Sequence, residues 1–252
     1  MKIGIFDSGI GGLTVLKALI NKYPNNEYIY YGDTINLPYG NKTIEELQEL
    51  SSKDVEFLIN KQVDIIIIAC GTVSSNCLDY LKNKYQTPIY DIISPTINYL
   101  NNSRHTNIGI IATNRTIDSH IFKNNLNKEK NIYEIATPDL VPLIENNNLF
   151  KINDILDKYL SKYKDKIDIL VLGCTHYPSI YNHINKYLNN KIKLLDMSIP
   201  LSDKLSINDN NKQSIKIYYS KLSNTIIDNT KRILELDNIY MKNNILYIFN
   251  KN

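Results

Sequence analysis

Two stretches of the chain repeat each other in residue type and in spacing. Ile3-Gly4-Ile5-Phe6-Asp7-Ser8 is echoed by Ile108-Gly109-Ile110-Ile111-Ala112-Thr113. Val63-Asp64-Ile65-Ile66-Ile67-Ile68-Ala69-Cys70 is echoed by Ile167-Asp168-Ile169-Leu170-Val171-Leu172-Gly173-Cys174. The interval from Ser8 to Cys70 matches that from Thr113 to Cys174 to within one residue. Continuous apolar runs of this length, rich in β-branched residues, mark strands buried on both faces of a parallel sheet. Each half of the chain therefore places a small hydroxyl and a thiol at the ends of two comparable strands.

The remaining pattern agrees. Lys2–Phe6, Tyr28–Tyr31, Ile65–Ala69, Ile89–Ile92, Asn107–Ala112, Ile167–Leu172 and Lys193–Leu195 read as strands. Thr14–Lys22, Ile44–Lys61, Ser75–Lys84, Ile117–Leu126, Ile152–Tyr163 and Ser179–Leu188 carry the apolar spacing of amphipathic helices. Strands alternating with helices predict an α/β fold of doubly covered parallel sheets. With 252 residues, two domains fit the usual domain size. Two such halves pack with their strand carboxyl ends on a shared cleft, where open parallel sheets bind ligands. Ser94-Pro95-Thr96 reads as the crossover between the halves, and the weakly patterned stretch 198–211 as the return.

Between the first strand and the first helix lies Asp7-Ser8-Gly9-Ile10-Gly11-Gly12-Leu13-Thr14. Glycine-rich strand-to-helix turns cradle phosphates, but the spacing here is wrong for one. A P-loop needs lysine where Leu13 stands, and the dinucleotide pattern needs glycine at Thr14. Asp7 would repel a pyrophosphate and attract an ammonium group. The net charge of +3 comes from scattered lysines, with no basic run interleaved with aromatics, so no nucleic-acid partner is expected. The start MKIGIFDS lacks a signal-peptide pattern, and the longest apolar run, Ile65 to Cys70, is too short to span a bilayer. A cytoplasmic protein without membrane contact is expected, its three cysteines remaining thiols.

Cys70 and Cys174 each follow a buried strand and precede small polar residues, where a helix is about to begin. A helix N-terminus stabilises a thiolate. Two thiols across a cleft could do redox work, bind metal or move protons on opposite faces of a substrate. Redox pairs usually use C-x-x-C, which is absent. The separation of Cys70 from Cys77 fits no common zinc spacing, and Cys77 reads as core packing. Proton transfer remains, with no metal and no cofactor.

The stretches FDSGIGGLTVL, YYGDTINLPYG, IIIACGTVSS, DLVPLIE and LVLGCTHYP resemble, in this order, the motifs of the glutamate racemase family, cofactor-independent enzymes of bacterial cell-wall synthesis. The resemblance runs from Met1 to about Leu205. It implies two α/β domains related by a pseudo-two-fold with the active site between them. Residues 1–95 plus about 209–252 would form the first domain, and 96–208 the second. It implies Cys70 and Cys174 as the two catalytic bases, Cys70 serving the D-enantiomer and Cys174 the L-enantiomer, with sulfurs roughly 7 Å apart about the α-carbon. Substrate-binding roles fall by the same resemblance on Asp7 and Ser8 at the ammonium end, with His176 matching them in the other half. Tyr39 and Gly40 would meet the carboxylate, and Gly71, Thr72, Thr116 and Thr175 would supply donors. Asp33 and Glu145 would stand behind the site.

Two departures bear on specificity: Gly71 stands where the family most often has Asn, and Asn114-Arg115 replaces smaller residues before Thr116. The expected partners are L- and D-glutamate, with a homodimer left open. The rival readings are a racemase for aspartate or another acidic amino acid, and a non-catalytic ligand-binding protein on the same fold.

Overall fold

The computed structural model describes residues 1–209, 212–237 and 239–248. Its strands are β1 (Lys2–Asp7), β2 (Glu27–Gly32), β3 (Ile65–Ile68), β4 (Ile89–Asp91), β5 (Asn107–Ala112), β6 (Asn131–Ala136), β7 (Ile169–Leu172), β8 (Lys193–Asp196), β9 (Ser214–Tyr219), β10 (Tyr240–Lys242) and β11 (Ile245–Ile248). They form two sheets, one ordered β10-β11-β9-β2-β1-β3-β4 and the other β6-β5-β7-β8.

The repeat seen in the sequence is a repeat of register. Ile3 lies opposite Ile65 in the first sheet, and its counterpart Ile108 lies opposite Ile169 in the second. The flanking strands follow the same order, β2-β1-β3-β4 beside β6-β5-β7-β8, and every pairing among these eight strands is parallel. Helices pack around these strands, as a parallel sheet buried on both faces requires. All four residues of β3 and all four of β7 are buried.

Several elements differ from the sequence expectation. The crossover Ser94-Pro95-Thr96 lies inside a helix, Ile93–Asn101, which Pro95 enters in the first turn, where its missing N–H costs no hydrogen bond. The start of the 198–211 return is also helical, Ser198–Lys204, while residues 210 and 211 lie outside the described residues. The predicted helix 117–126 is two short ones, Asn114–Asp118 and Ile121–Asn125, broken at His120, whose φ of 51° is left-handed. The helix expected from Ser75 begins at Gly71.

After 212 the chain pairs β9 parallel to β2 and closes with the antiparallel strands β11 and β10. The expected first-domain segment 209–252 falls partly outside the described residues, at 210, 211, 238 and 249–252. One apolar cluster runs through both halves. It contains Leu13 and Leu16, Ile3 and Ile5 of the first sheet, Ile108 and Val171 of the second, and Met197 and Leu201. Among the described residues no helix is long and apolar enough to cross a membrane.

Candidate active site

β1, β3 and β7 end on a common cleft. Ser8 follows β1, Cys70 and Gly71 follow β3, and Gly173 to His176 follow β7; all line one cavity of about 90 Å³. The loop 37–41, Thr72, Thr113, Asn114 and the stretch Thr137 to Pro142 complete its wall. Larger surface grooves exist, but they are open and lie away from both thiols.

The two thiols have different neighbours. Cys70 caps the helix Gly71–Lys84, and its Sγ lies 3.7 Å from Ser8 Oγ. Burial pushes this thiol up to about 12, and the nearby Asp7 charge adds to the rise. The Val73 N–H and the Ser8 hydroxyl oppose it. Cys174 is followed not by a long helix but by a short 3-10 turn, Tyr177–Ile180. Its sulfur lies 3.6 Å from His176 Nδ1, and His176 Nε2 lies 2.8 Å from Glu145 Oε1. Burial disfavours the imidazolium, but hydrogen bonds with Cys174 and Glu145, and their charges, outweigh it and raise the pKa well above the usual value. The second thiol thus sits on a chain of proton-sharing groups, the first on a helix N-terminus.

Asp7 stands behind the wall rather than in it. It is fully buried, accepting the Gly9 N–H at 3.0 Å and the Thr175 hydroxyl at 3.2 Å. Burial raises its carboxyl pKa against the His176 charge and these hydrogen bonds. Its contact with Thr175 ties the first half to the second beside Cys174. The glycines of the first turn have a related purpose. A Cβ on Gly11 would lie 2.5 Å from Thr175 Oγ1 and 2.6 Å from His176 Nδ1, so only glycine lets this loop press against the Cys174 side.

Ser8, Tyr39, Gly40, Gly71, Thr72, Thr175 and His176 line the cavity with both cysteines. Thr116 does not. Its hydroxyl lies 3.0 Å from Thr113 Oγ1, which lies 3.0 Å from Thr72 Oγ1, so Thr113 faces the cavity with Thr116 as its support. Cys77 packs in the core under β3, as its sequence context predicts.

Residues 15–198 match the model of the Asp/Glu/hydantoin racemase family. The chain belongs to that family. It is 42% identical to the glutamate racemase of Fusobacterium nucleatum over 210 residues, covering 81% of this chain and 79% of that protein. It is 38% identical to the glutamate racemase of Aquifex pyrophilus over 243 residues, covering 94% and 95%. The crystal structure of the Francisella tularensis glutamate racemase in complex with D-glutamate superposes with a TM-score of 0.82 at 31% identity, covering 93% of each chain. Family members thus share the two-sheet architecture, and the chain is an enzyme of the racemase class.

Sequence reasoning missed Thr113 and the wall 137–142, whereas Asn114, singled out as a departure, does line the cavity. Thr113 was within reach as the counterpart of Ser8 in the repeat. It also missed Asp54. The buried stripe of the helix Ile44–Asn60 runs Leu47, Ser51, Asp54, Val55, Leu58, and a carboxylate on that stripe was the available signal.

Proposed function

We propose that this racemase interconverts L- and D-glutamate by two-base proton transfer without a cofactor, in the cytoplasm, supplying D-glutamate for peptidoglycan. The observation that carries the proposal is the placement of Cys70 and Cys174, on matching strand ends of the two sheets, in the wall of one cavity. The similarity to glutamate racemases described above supports the substrate. Division of the chain into 1–95 plus about 209–252 and 96–208 is supported by the pairing of β9 with β2.

In this mechanism the thiolate of one cysteine takes the α-proton: the Cα–H bond breaks, an S–H bond forms, and the electron pair spreads into the carboxylate. The other thiol then gives its proton to the opposite face of the same carbon. Cys70 deprotonates the D-enantiomer and Cys174 the L-enantiomer. A thiolate is too weak a base to drive the first step alone, so the closed cleft stabilises the carbanion through donors such as Ser8, Thr72 and Thr113. Asp7, joined to Thr175 behind the wall, supplies the negative charge that draws the ammonium end, and His176, joined to Cys174 and Glu145, is the proton-sharing partner of the Cys174 thiol. Gly71, in place of the family's usual Asn, supports a second reading in which aspartate or another acidic amino acid is the substrate. The presence of both thiols in one cavity argues against a non-catalytic binder.

Substrates with a leaving group on the β-carbon separate the two bases, because proton removal alone then causes elimination. Cys70→Ser and Cys174→Ser should each lose racemisation. Each should eliminate from only one enantiomer, the two variants preferring opposite hands, while the parent accepts both. If both variants processed the same enantiomer equally well, a single base would account for all proton removal and the facing-thiol mechanism would fail.

A further inference from the structure

Behind the cavity-lining loop 37–41, two buried carboxyl groups share one phenol. Tyr39 Oη lies 2.7 Å from Asp33 Oδ2 and 3.2 Å from Asp54 Oδ2. Asp33 and Asp54 are each at most 3% exposed. Asp33 also accepts both contacts of the Asn36 side-chain amide, at 2.8 and 3.1 Å. The partner count decides the protonation. A phenol carries one proton and donates one hydrogen bond. With that proton on the shorter bond to Asp33, the second carboxyl can bond the phenolic oxygen only by donating.

We infer that Asp54 is a positioning residue held as the neutral carboxylic acid, donating to Tyr39 so that Tyr39 donates to Asp33 and fixes the loop 37–41 against the cavity. The Asp33 carboxylate is the acceptor end of this chain, and the long helix Ile44–Asn60 carries the donor end. The charged and titratable groups facing the cluster are consistent with one proton being retained. Asp33 and Asp7 are both negative neighbours of Asp54, and burial and their charges drive Asp54 well above the usual carboxylate range. Tyr31 on β2 also faces the pair, Cys70 faces Tyr39, and Lys53 is directed to Glu49 at the surface. Two ionised carboxylates competing for one phenol proton would repel each other and release Tyr39.

The effect on glutamate binding rests on the function proposed above, whereas the effect on stability does not, so two measurements separate them. A carboxyl whose pKa is raised in the fold stabilises the native state in acid, and this contribution is lost as pH rises from the ordinary 3.8 towards the raised value. Asparagine keeps a donor at this position but has no proton to lose. The melting temperature of Asp54→Asn relative to wild type should therefore climb from pH 5 to pH 9. A difference that stays flat with pH would show that Asp54 is not held protonated. In steady-state racemisation, Asp54→Ala should raise KM for glutamate about tenfold or more, the scale of one lost hydrogen bond to a network that holds charge. Deprotonation of Asp54 in alkali should raise the wild-type KM, and Asp54→Asn should keep the neutral-pH KM and lack that rise. If Asp54→Ala left KM unchanged while the stability difference still climbed, the neutral acid would stand and its positioning of the loop would be overturned. Absence of glutamate turnover in wild type would instead overturn the functional proposal and leave the stability test intact.

Discussion

A missing methyl group at residue 71 sets how closely the two thiol-bearing loops approach. A Cβ on Gly71 would lie 2.7 Å from the carbonyl oxygen of Gly173, the residue before Cys174. Backbone on that side cannot yield as a side chain would, so any larger residue forces the Cys70 and Cys174 loops apart. This gives Gly71 a steric role beside its place in the cavity wall. Gly71→Ala adds only the methyl group and should cut kcat roughly tenfold to hundredfold, the scale expected for sub-ångström misplacement of reacting groups. The loss should be the same for glutamate and aspartate. Gly71→Asn should add an amide contact to the same displacement and change the ratio of the two substrates' KM values. Steady-state kinetics on both acids checks this; a ratio shifted equally by Ala and Asn would assign the selectivity to spacing rather than to the amide.

Among the elements, the repeated strands were legible because they announce themselves twice. β1 with β3 and β5 with β7 are continuous apolar runs, and their strand-end cysteines fall in one cavity. Asn131–Ala136 and the strands β9 to β11 carry no such signal: their burial alternates or is low, and their position depends on pairing with partners elsewhere, β6 with β5, β9 with β2, and β11 and β10 in turn on β9. Asp7 and Thr116 were legible as residues near the site but not as residues behind its wall, since that depends on which side of a turn faces the neighbouring half. The C-terminal helix Asn224–Leu234 was likewise unreadable in its function. Its buried Asn229 donates to the backbone carbonyl of Glu145 at 3.2 Å and accepts from Arg232 at 3.1 Å. That fixes the residue whose carboxylate holds His176. Asn229→Leu leaves both partners unsatisfied and should cost about 1–3 kcal/mol in urea unfolding, with a fall in kcat through the Glu145–His176–Cys174 chain. Lost stability with unchanged kcat would restrict Asn229 to a structural tie.

For the molecule as a whole, a cavity whose wall is built from both sheets makes substrate binding a link between the halves. Ligand that binds only the folded chain stabilises it, by about 2.7 kcal/mol at a hundred times Kd. At about 2–4 °C per kcal/mol for a chain of this size, the melting temperature should rise by roughly 5–10 °C. The stereochemistry of the shift separates a racemase from a passive binder of the same fold. An active racemase turns either enantiomer into the same mixture before the melt begins, so L- and D-glutamate should give equal shifts in wild type. With both thiols replaced, in Cys70→Ser/Cys174→Ser, each enantiomer stays as added, and the two shifts should part according to their separate affinities. Differential scanning fluorimetry with each pure enantiomer reads both cases. Unequal shifts in wild type, persisting after long incubation, would mean that the cleft holds glutamate without interconverting it.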